Sequence, residues 1–314
     1  MVIFFSILGG VLLFLVMLTL IIAYVTYHMA FHSPDKIQDD IYNIPTDEQY
    51  MQNRDSMYEM VRTLANIPYE SVSIVNRDGM RLVGKYYHVK DGAPLDIGFH
   101  GYRGTAIRDF CGGTKISFSM GHNVLLIDQR AHGGSDGHTI AFGVKERFDC
   151  LDWINYANER FGKDTPILLY GVSMGGATVL MASGLELPPN VYGIVADSPY
   201  SSPEKIIKKV CRDRGYPPSL AYPFLSLGAR LFGRICPEDA TAADAARKAT
   251  VPMLIIHGED DRFVPDRMSE EVRAANPVLV SRHTFPTAGH GLSYIVDFPR
   301  YERLIREFIE HYLP

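Results

Sequence analysis

The strongest constraint on the fold is a set of short, unbroken apolar runs, each closed by a polar residue or glycine. They read LDIGFH (95–100), NVLLID (123–128), PILLYG (166–171), VYGIVAD (191–197) and VPMLIIHG (251–258). A strand with one solvated face alternates apolar and polar residues. A continuous run of this length suits a parallel strand buried on both faces. Helical candidates fall between the runs, at about 105–119, 143–161 and 174–185. A last helix over 301–313 carries Tyr301, Leu304, Ile305, Phe308, Ile309 and Tyr312 on one stripe. Strands alternating with helices predict an α/β domain, a mostly parallel sheet with helices on both faces. Ahead of it, SVSIV and RLVGKYYHV flank NRDGM, and Asp78-Gly79 predicts an antiparallel hairpin.

A second constraint sits at the N-terminus. Val2 to Tyr27 carries no charged side chain and exceeds the ~20 residues that cross a bilayer. No Lys or Arg precedes Lys36, and no small-x-small cleavage site follows. A retained single-span anchor over 1–28 is therefore preferred to a cleaved signal. Residues 29–66 read as a polar stalk followed by a short helix over 51–66, and 67–314 as the main domain. SPDKIQDD has one Lys against three Asp. That is little to hold the flank inside by the positive-inside rule, and leans toward an extracytoplasmic domain.

Residues 200–240 interrupt the strand–helix rhythm and are too long for a simple connection. They read as a small helical insertion over one end of the sheet, either a lid or a purely structural excursion. Tyr216, Tyr222, Phe224 and Phe232 are its exposed-looking aromatics. The four cysteines, Cys111, Cys150, Cys211 and Cys236, fit no zinc or redox spacing. An oxidising compartment would allow a Cys211–Cys236 bridge. The net charge is −5 over 314 residues, with no long basic block, which argues against a nucleic-acid partner. Nothing in the spacing of His, Cys, Asp and Glu calls for a metal.

The chemistry begins at LLYGVSMGG (168–176), where Ser173 lies between glycines at the change from strand to helix. On its own it is either a nucleophile or a small residue in a tight turn. A serine hydroxyl needs a base, and the base needs an orienting acid. VPMLIIHGEDDRFVP supplies Glu259, Asp260 and Asp261 directly after a strand. HTFPTAGHGLSY supplies His290. A helix (267–275) and a strand (278–285) fit between them, so acid and histidine would leave neighbouring strands in the order Ser, acid, His. An oxyanion needs N–H donors. Met174, next after the serine, offers one. The loop HGYRG offers the other at Tyr102, with Gly101 permitting close approach. His100 precedes the nucleophile and reads as structural.

These motifs together resemble the α/β-hydrolase superfamily, in particular its serine-aminopeptidase-like and lysophospholipase/esterase-like branch, from about residue 70 to 314. HGYRG is similar to the oxyanion loop, LLIDQRAHGGSDG to the Asp-x-Arg-x-His-Gly-x-Ser turn that holds loops in place, GVSMGG to the elbow and AGHG to the histidine loop. IIHGEDDRFVP is similar to His-Gly-x-x-Asp-x-x-Val-Pro, which selects Asp261. The resemblance implies an eight-stranded sheet with an antiparallel second strand and a cap inserted after the sixth. It also implies a Ser173–His290–Asp261 triad needing no metal or organic cofactor, and membrane-anchored bacterial relatives. The expected activity is hydrolysis of a carboxylic ester on a small-molecule or lipid-like acyl substrate. An aminopeptidase or amidase, or a non-catalytic tethered binding protein, are the alternatives.

Overall fold

A computed structural model describes residues 1–33 and 40–313. Eight strands form one sheet: β1 (Glu70–Val75), β2 (Arg81–Tyr87), β3 (Leu95–Phe99), β4 (Asn123–Asp128), β5 (Ile167–Val172), β6 (Val191–Asp197), β7 (Met253–Gly258) and β8 (Val280–Phe285). Their order is β1-β2-β4-β3-β5-β6-β7-β8. β2 runs antiparallel to β1 and β4, and the remaining pairs are parallel. The β1–β2 hairpin turns at Asp78-Gly79. Asn76 Oδ1 accepts from the N–H groups of Asp78 and Met80, and Gly79 takes a φ of 77°. Asx chemistry followed by a left-handed glycine is what closes such a turn.

The apolar runs are buried on both faces. Along β4, Leu125 and Ile127 enter one core cluster and Val124 and Leu126 the other. The first cluster packs against the helices Glu146–Phe161, through Trp153, and Met174–Ala182. The second packs under Gly113–Ser119 and the C-terminal helix Phe298–Tyr312, through Tyr301, Ile305 and Phe308. That last helix starts three residues earlier than its apolar stripe, because Asp297 caps it by accepting from Arg300 N–H (3.1 Å). Tyr312, at the end of the stripe, is exposed.

Between β6 and β7 the chain builds the cap: helix Pro203–Asp213, helix Pro218–Gly228 and a π turn at Ala229–Gly233. Its aromatics are less exposed than their sequence suggests. Tyr222 is buried with its hydroxyl on Glu238 and Phe224 is half-buried, which leaves Tyr216 and Phe232 at the surface. Cys211 and Cys236 are free thiols, not a bridge; the Cys236 thiol donates to Glu238 Oε2 at 3.1 Å.

The N-terminal segment departs most from its sequence reading. A helix spans Val2–Ala30. Residues 2–18 are exposed throughout, but Ala23, Tyr27 and the following Phe31 are buried in the main domain. Tyr27 Oη lies 2.7 Å from Thr139 Oγ1, and Ile140 N–H donates to the Phe31 carbonyl at 2.7 Å. Residues 29–33 therefore dock instead of forming a stalk. Further on, Ile44 is buried with Met57 and Leu292, and the helix Arg54–Ala65 buries Val61 and Leu64. Single apolar residues in a polar stretch find sockets that an average over the stretch conceals. The remainder of the expected stalk, 34–39, lies outside the described residues.

Candidate active site

Ser173 stands at the C-terminal end of β5, where the strand turns into the helix Met174–Ala182. Its backbone takes φ 55° and ψ −114°, a sparsely populated conformation for a side chain other than glycine. The turn is held by Ser173 N–H donating to the Asp197 carbonyl (2.8 Å) and Ala177 N–H donating to the Ser173 carbonyl (2.9 Å). The glycines around it are steric necessities. A Cβ on Gly175 would fall 1.7 Å from the Phe99 carbonyl oxygen, and one on Gly171 would fall 2.2 Å from the Gly175 carbonyl oxygen. Both obstacles are backbone, so neither can swing aside.

The structure brings the three candidate residues of the relay together. His290, in the loop after β8, places Nε2 2.8 Å from Ser173 Oγ. Its Nδ1 lies 2.7 Å from Asp261 Oδ2, in the loop after β7. Asp261 Oδ1 accepts from the N–H groups of Phe263 (2.9 Å) and Val264 (2.7 Å). Burial opposes its charge, but His290 and His257 outweigh that and hold the carboxyl well below the usual range. An ionised Asp261 accepts only. His290 Nδ1 must therefore carry a proton, which leaves Nε2 as the acceptor facing the serine hydroxyl. Burial also disfavours the charged imidazole. The charge and hydrogen bond of Asp261, aided by Asp197 and Asp109, more than offset this and raise the His290 pKa.

Met174 N–H and Tyr102 N–H accompany this relay. Met174 opens the helix, where the first-turn N–H groups have no helical acceptor. Among the described residues neither N–H has a backbone acceptor. Gly101 carries the Tyr102 loop against Ser173, and a Cβ there would lie 3.3 Å from Ser173 Cβ.

Several residues that hold this arrangement were not identified from the sequence. Asp109 accepts from Gly101 N–H (2.7 Å) while paired to Arg108, and so ties down the loop before Tyr102. His132 Nε2 accepts from Arg103 N–H (3.0 Å), which places the Asp-x-Arg-x-His turn behind the same loop. His257, wholly buried, sets Nε2 3.2 Å from Asp261 Oδ2. Tyr50 donates its hydroxyl to the His290 carbonyl at 2.6 Å. His132 and His257 had a signal, each as the histidine of a motif in the resemblance. Asp109 and Tyr50 sit in no local pattern. His100 is structural: Nδ1 donates to Gly101 O (2.8 Å), Nε2 accepts from Gln129 N–H (3.1 Å), and burial lowers its pKa.

Two cavities meet at Ser173. One, about 220 Å³, is lined by Tyr50, Asp109, Phe263 and His290. The other, about 460 Å³, lies under the cap and is walled by Ile206, Ile207, Val210, Leu225 and Tyr200. The larger volume is that of a small-molecule site. The larger one is mostly apolar, and its two charged lining residues are Arg103 and Arg214. Among the described residues no group of three or more His, Cys, Asp and Glu side chains could hold a metal ion.

Comparison with known proteins agrees with this topology. The sequence model of a family described as the alpha/beta hydrolase fold matches residues 99–230. The protein YqkD of Bacillus subtilis is 23% identical over 201 residues, which cover 62% of this chain and 65% of that one. Lysophosphatidylserine lipase ABHD12 of Macaca fascicularis is 25% identical over 212 residues, covering 62% of this chain and 50% of that one. The chain thus spans between half and just under two thirds of these relatives' lengths. Among solved structures, the Pyrococcus furiosus esterase Pf2001 superposes with a TM-score of 0.65 at 21% identity, over 81% of this chain and 94% of that one. Strand order, elbow geometry and the family match together give this chain the α/β-hydrolase fold.

Proposed function

We propose that this protein is a membrane-tethered serine hydrolase that cleaves carboxylic esters through an acyl-enzyme. The observation that carries the proposal is the Ser173–His290–Asp261 relay, with contacts of 2.8 and 2.7 Å at a serine held at positive φ. Ser173 Oγ attacks the carbonyl carbon as its proton passes to His290 Nε2. The developing oxyanion is held by the N–H groups of Tyr102 and Met174. Asp261 fixes the tautomer and stabilises the imidazolium. His290 then protonates the leaving alcohol, and the C–O bond to it breaks. Water, deprotonated by His290, releases the acid and restores Ser173.

An ester is favoured over a peptide with a free N-terminus by the larger cavity. Its charged lining residues are both arginines, so a substrate ammonium finds no partner within that chamber. The names of relatives, an esterase and a lipase, point the same way. Tethering is favoured over signal cleavage by burial. Removing the helix would strip Ala23 and Tyr27 from the core, whereas its most apolar stretch is wholly uncovered.

The test compares matched acetyl esters and aminoacyl amides on the full-length protein in detergent. We expect kcat/KM for the ester to exceed that for the amide, and Ser173→Ala to abolish both. Amide turnover with no ester turnover would contradict the ester assignment. Undiminished turnover in Ser173→Ala would contradict the mechanism.

A further inference from the structure

The larger cavity has an unexpected wall. Thr26, Met29 and Ala30, from the last two turns of the N-terminal helix, line it together with Ser173 and the cap. The same turns are fastened to the site from two sides. Tyr102, next to Gly101 in the loop beside Ser173, donates its side-chain hydroxyl to the Ala30 carbonyl (2.9 Å). Arg103 Nη2 donates to the carbonyls of Met29 and His32, at 3.2 Å each. On the cap side, a Cβ on Gly228 would fall 2.2 Å from the Ala23 carbonyl oxygen, and Phe232 sits edge-on to Tyr24 with centroids 5.1 Å apart. Small residues allow helix backbones this close.

We infer that the end of the membrane helix is a specificity-determining wall of the active site, and that the chamber it closes binds the acyl chain of an ester held in the bilayer. This rests on the serine-hydrolase reading of Ser173. The chemistry of the lining selects the occupant. From the helix come Thr26, Met29 and Ala30, and the Thr26 hydroxyl is already engaged with the Ala23 carbonyl at 3.1 Å. From the cap come mostly aliphatic side chains, with Arg214 and Tyr216 among them, and no acidic residue lines the chamber. Such an aliphatic wall stabilises a hydrocarbon chain, and the two arginines leave a second cationic group without a partner there.

Position supports the source. A bilayer core takes about 20 helical residues. Counted from Val2, that leaves Thr26 at the outer edge of the headgroups and Met29 about one turn beyond it, at roughly 1.5 Å of rise per residue. Met29 and Tyr216, each more than half exposed, edge the chamber and mark an apolar way in. A chain leaving the bilayer beside the helix would follow the surface of that helix to Ser173.

The experiment reconstitutes the full-length protein in phosphatidylcholine nanodiscs and measures kcat/KM for acyl esters from acetyl to dodecanoyl. Each methylene taken into the chamber is expected to raise kcat/KM about fourfold until the chamber is full, since a buried CH₂ contributes about 0.8 kcal/mol. Longer chains also partition more into the nanodisc, so the decisive comparison is between variants in the same bilayer. Thr26→Phe and Met29→Trp narrow the chamber and should lower the dodecanoyl-to-acetyl ratio at least tenfold. Val25→Phe, on the exposed face of the same turn, should leave that ratio unchanged. Equal ratios in Thr26→Phe, Met29→Trp and wild type would overturn the inference while leaving the hydrolase reading intact. A second readout needs no turnover: fluorescence of a conjugated polyene fatty acid bound to Ser173→Ala. Adding Thr26→Phe or Met29→Trp should weaken that binding about tenfold. Absence of binding to Ser173→Ala would overturn the chamber assignment, whatever the esters show.

Discussion

Two places in this molecule are built on a glycine pressed against a carbonyl oxygen. At the elbow, Gly175 lies under the Phe99 carbonyl; at the seam between the N-terminal helix and the cap, Gly228 lies under the Ala23 carbonyl. The physics is the same and the sequence distance is not. The elbow is local: strand, serine and helix follow one another within a few residues, and its glycines form a pattern around Ser173. The seam joins residues 23 and 228, and neither carries a motif. Local constraints leave a written signature, whereas long-range packing leaves only the residue that happens to fit.

The two regions should therefore fail differently. The largest effect belongs to the elbow's relay. Asp261→Asn keeps the shape but lets His290 adopt the wrong tautomer, and kcat should fall about 10⁴-fold. A loss below tenfold, measured by steady-state ester hydrolysis, would detach Asp261 from the relay. At the seam, Gly228→Ala puts a methyl group against backbone. Overpacking of this kind costs about 1–3 kcal/mol, to be read as a lower thermal unfolding midpoint of the full-length protein in detergent. An unchanged midpoint would show that helix and cap do not press together as described.

The pH profile probes the relay again. His290 must be neutral to take the serine proton, and its pKa is raised above the ordinary 6.5. Its kcat/KM should fall about tenfold per pH unit on the acid side, with a midpoint above 6.5. The stability linked to this group runs the other way. It is fully present below the unfolded pKa and is lost as pH rises through the folded value. In Asp261→Asn the acid midpoint should move down; if it stays, Asp261 is not what raises it. The smallest effect is Tyr102→Phe at the seam. Removing the hydroxyl that donates to Ala30 should cost about 1 kcal/mol of stability, measured by the same unfolding experiment. A loss of several kcal/mol would mean that this one bond holds the helix in place.

Much of the fold could be read from the chain because its strands are buried on both faces and so appear as unbroken apolar runs. The alternation of Val124 and Leu126 against Leu125 and Ile127 across two core clusters is the structural counterpart. Ser173, Asp261 and His290 stood out because each follows a strand within a short glycine-bearing loop. Tyr50 and Asp109 did not. Their contacts, to the His290 carbonyl and the Gly101 N–H, pair a common side chain with a backbone atom, and any residue supplies such an atom. Phe31 hid within a polar stretch for the related reason that one buried ring does not change an average composition.

The central claim is that Ser173 is the nucleophile, and peptide mapping of a covalent adduct tests it most directly. The full-length protein in detergent is treated with a fluorophosphonate, digested and analysed by mass spectrometry. The account predicts one phosphonyl adduct, on Ser173, absent from Ser173→Ala and from His290→Ala. No adduct on a folded wild-type protein, or an adduct on a different residue that persists in Ser173→Ala, would contradict it.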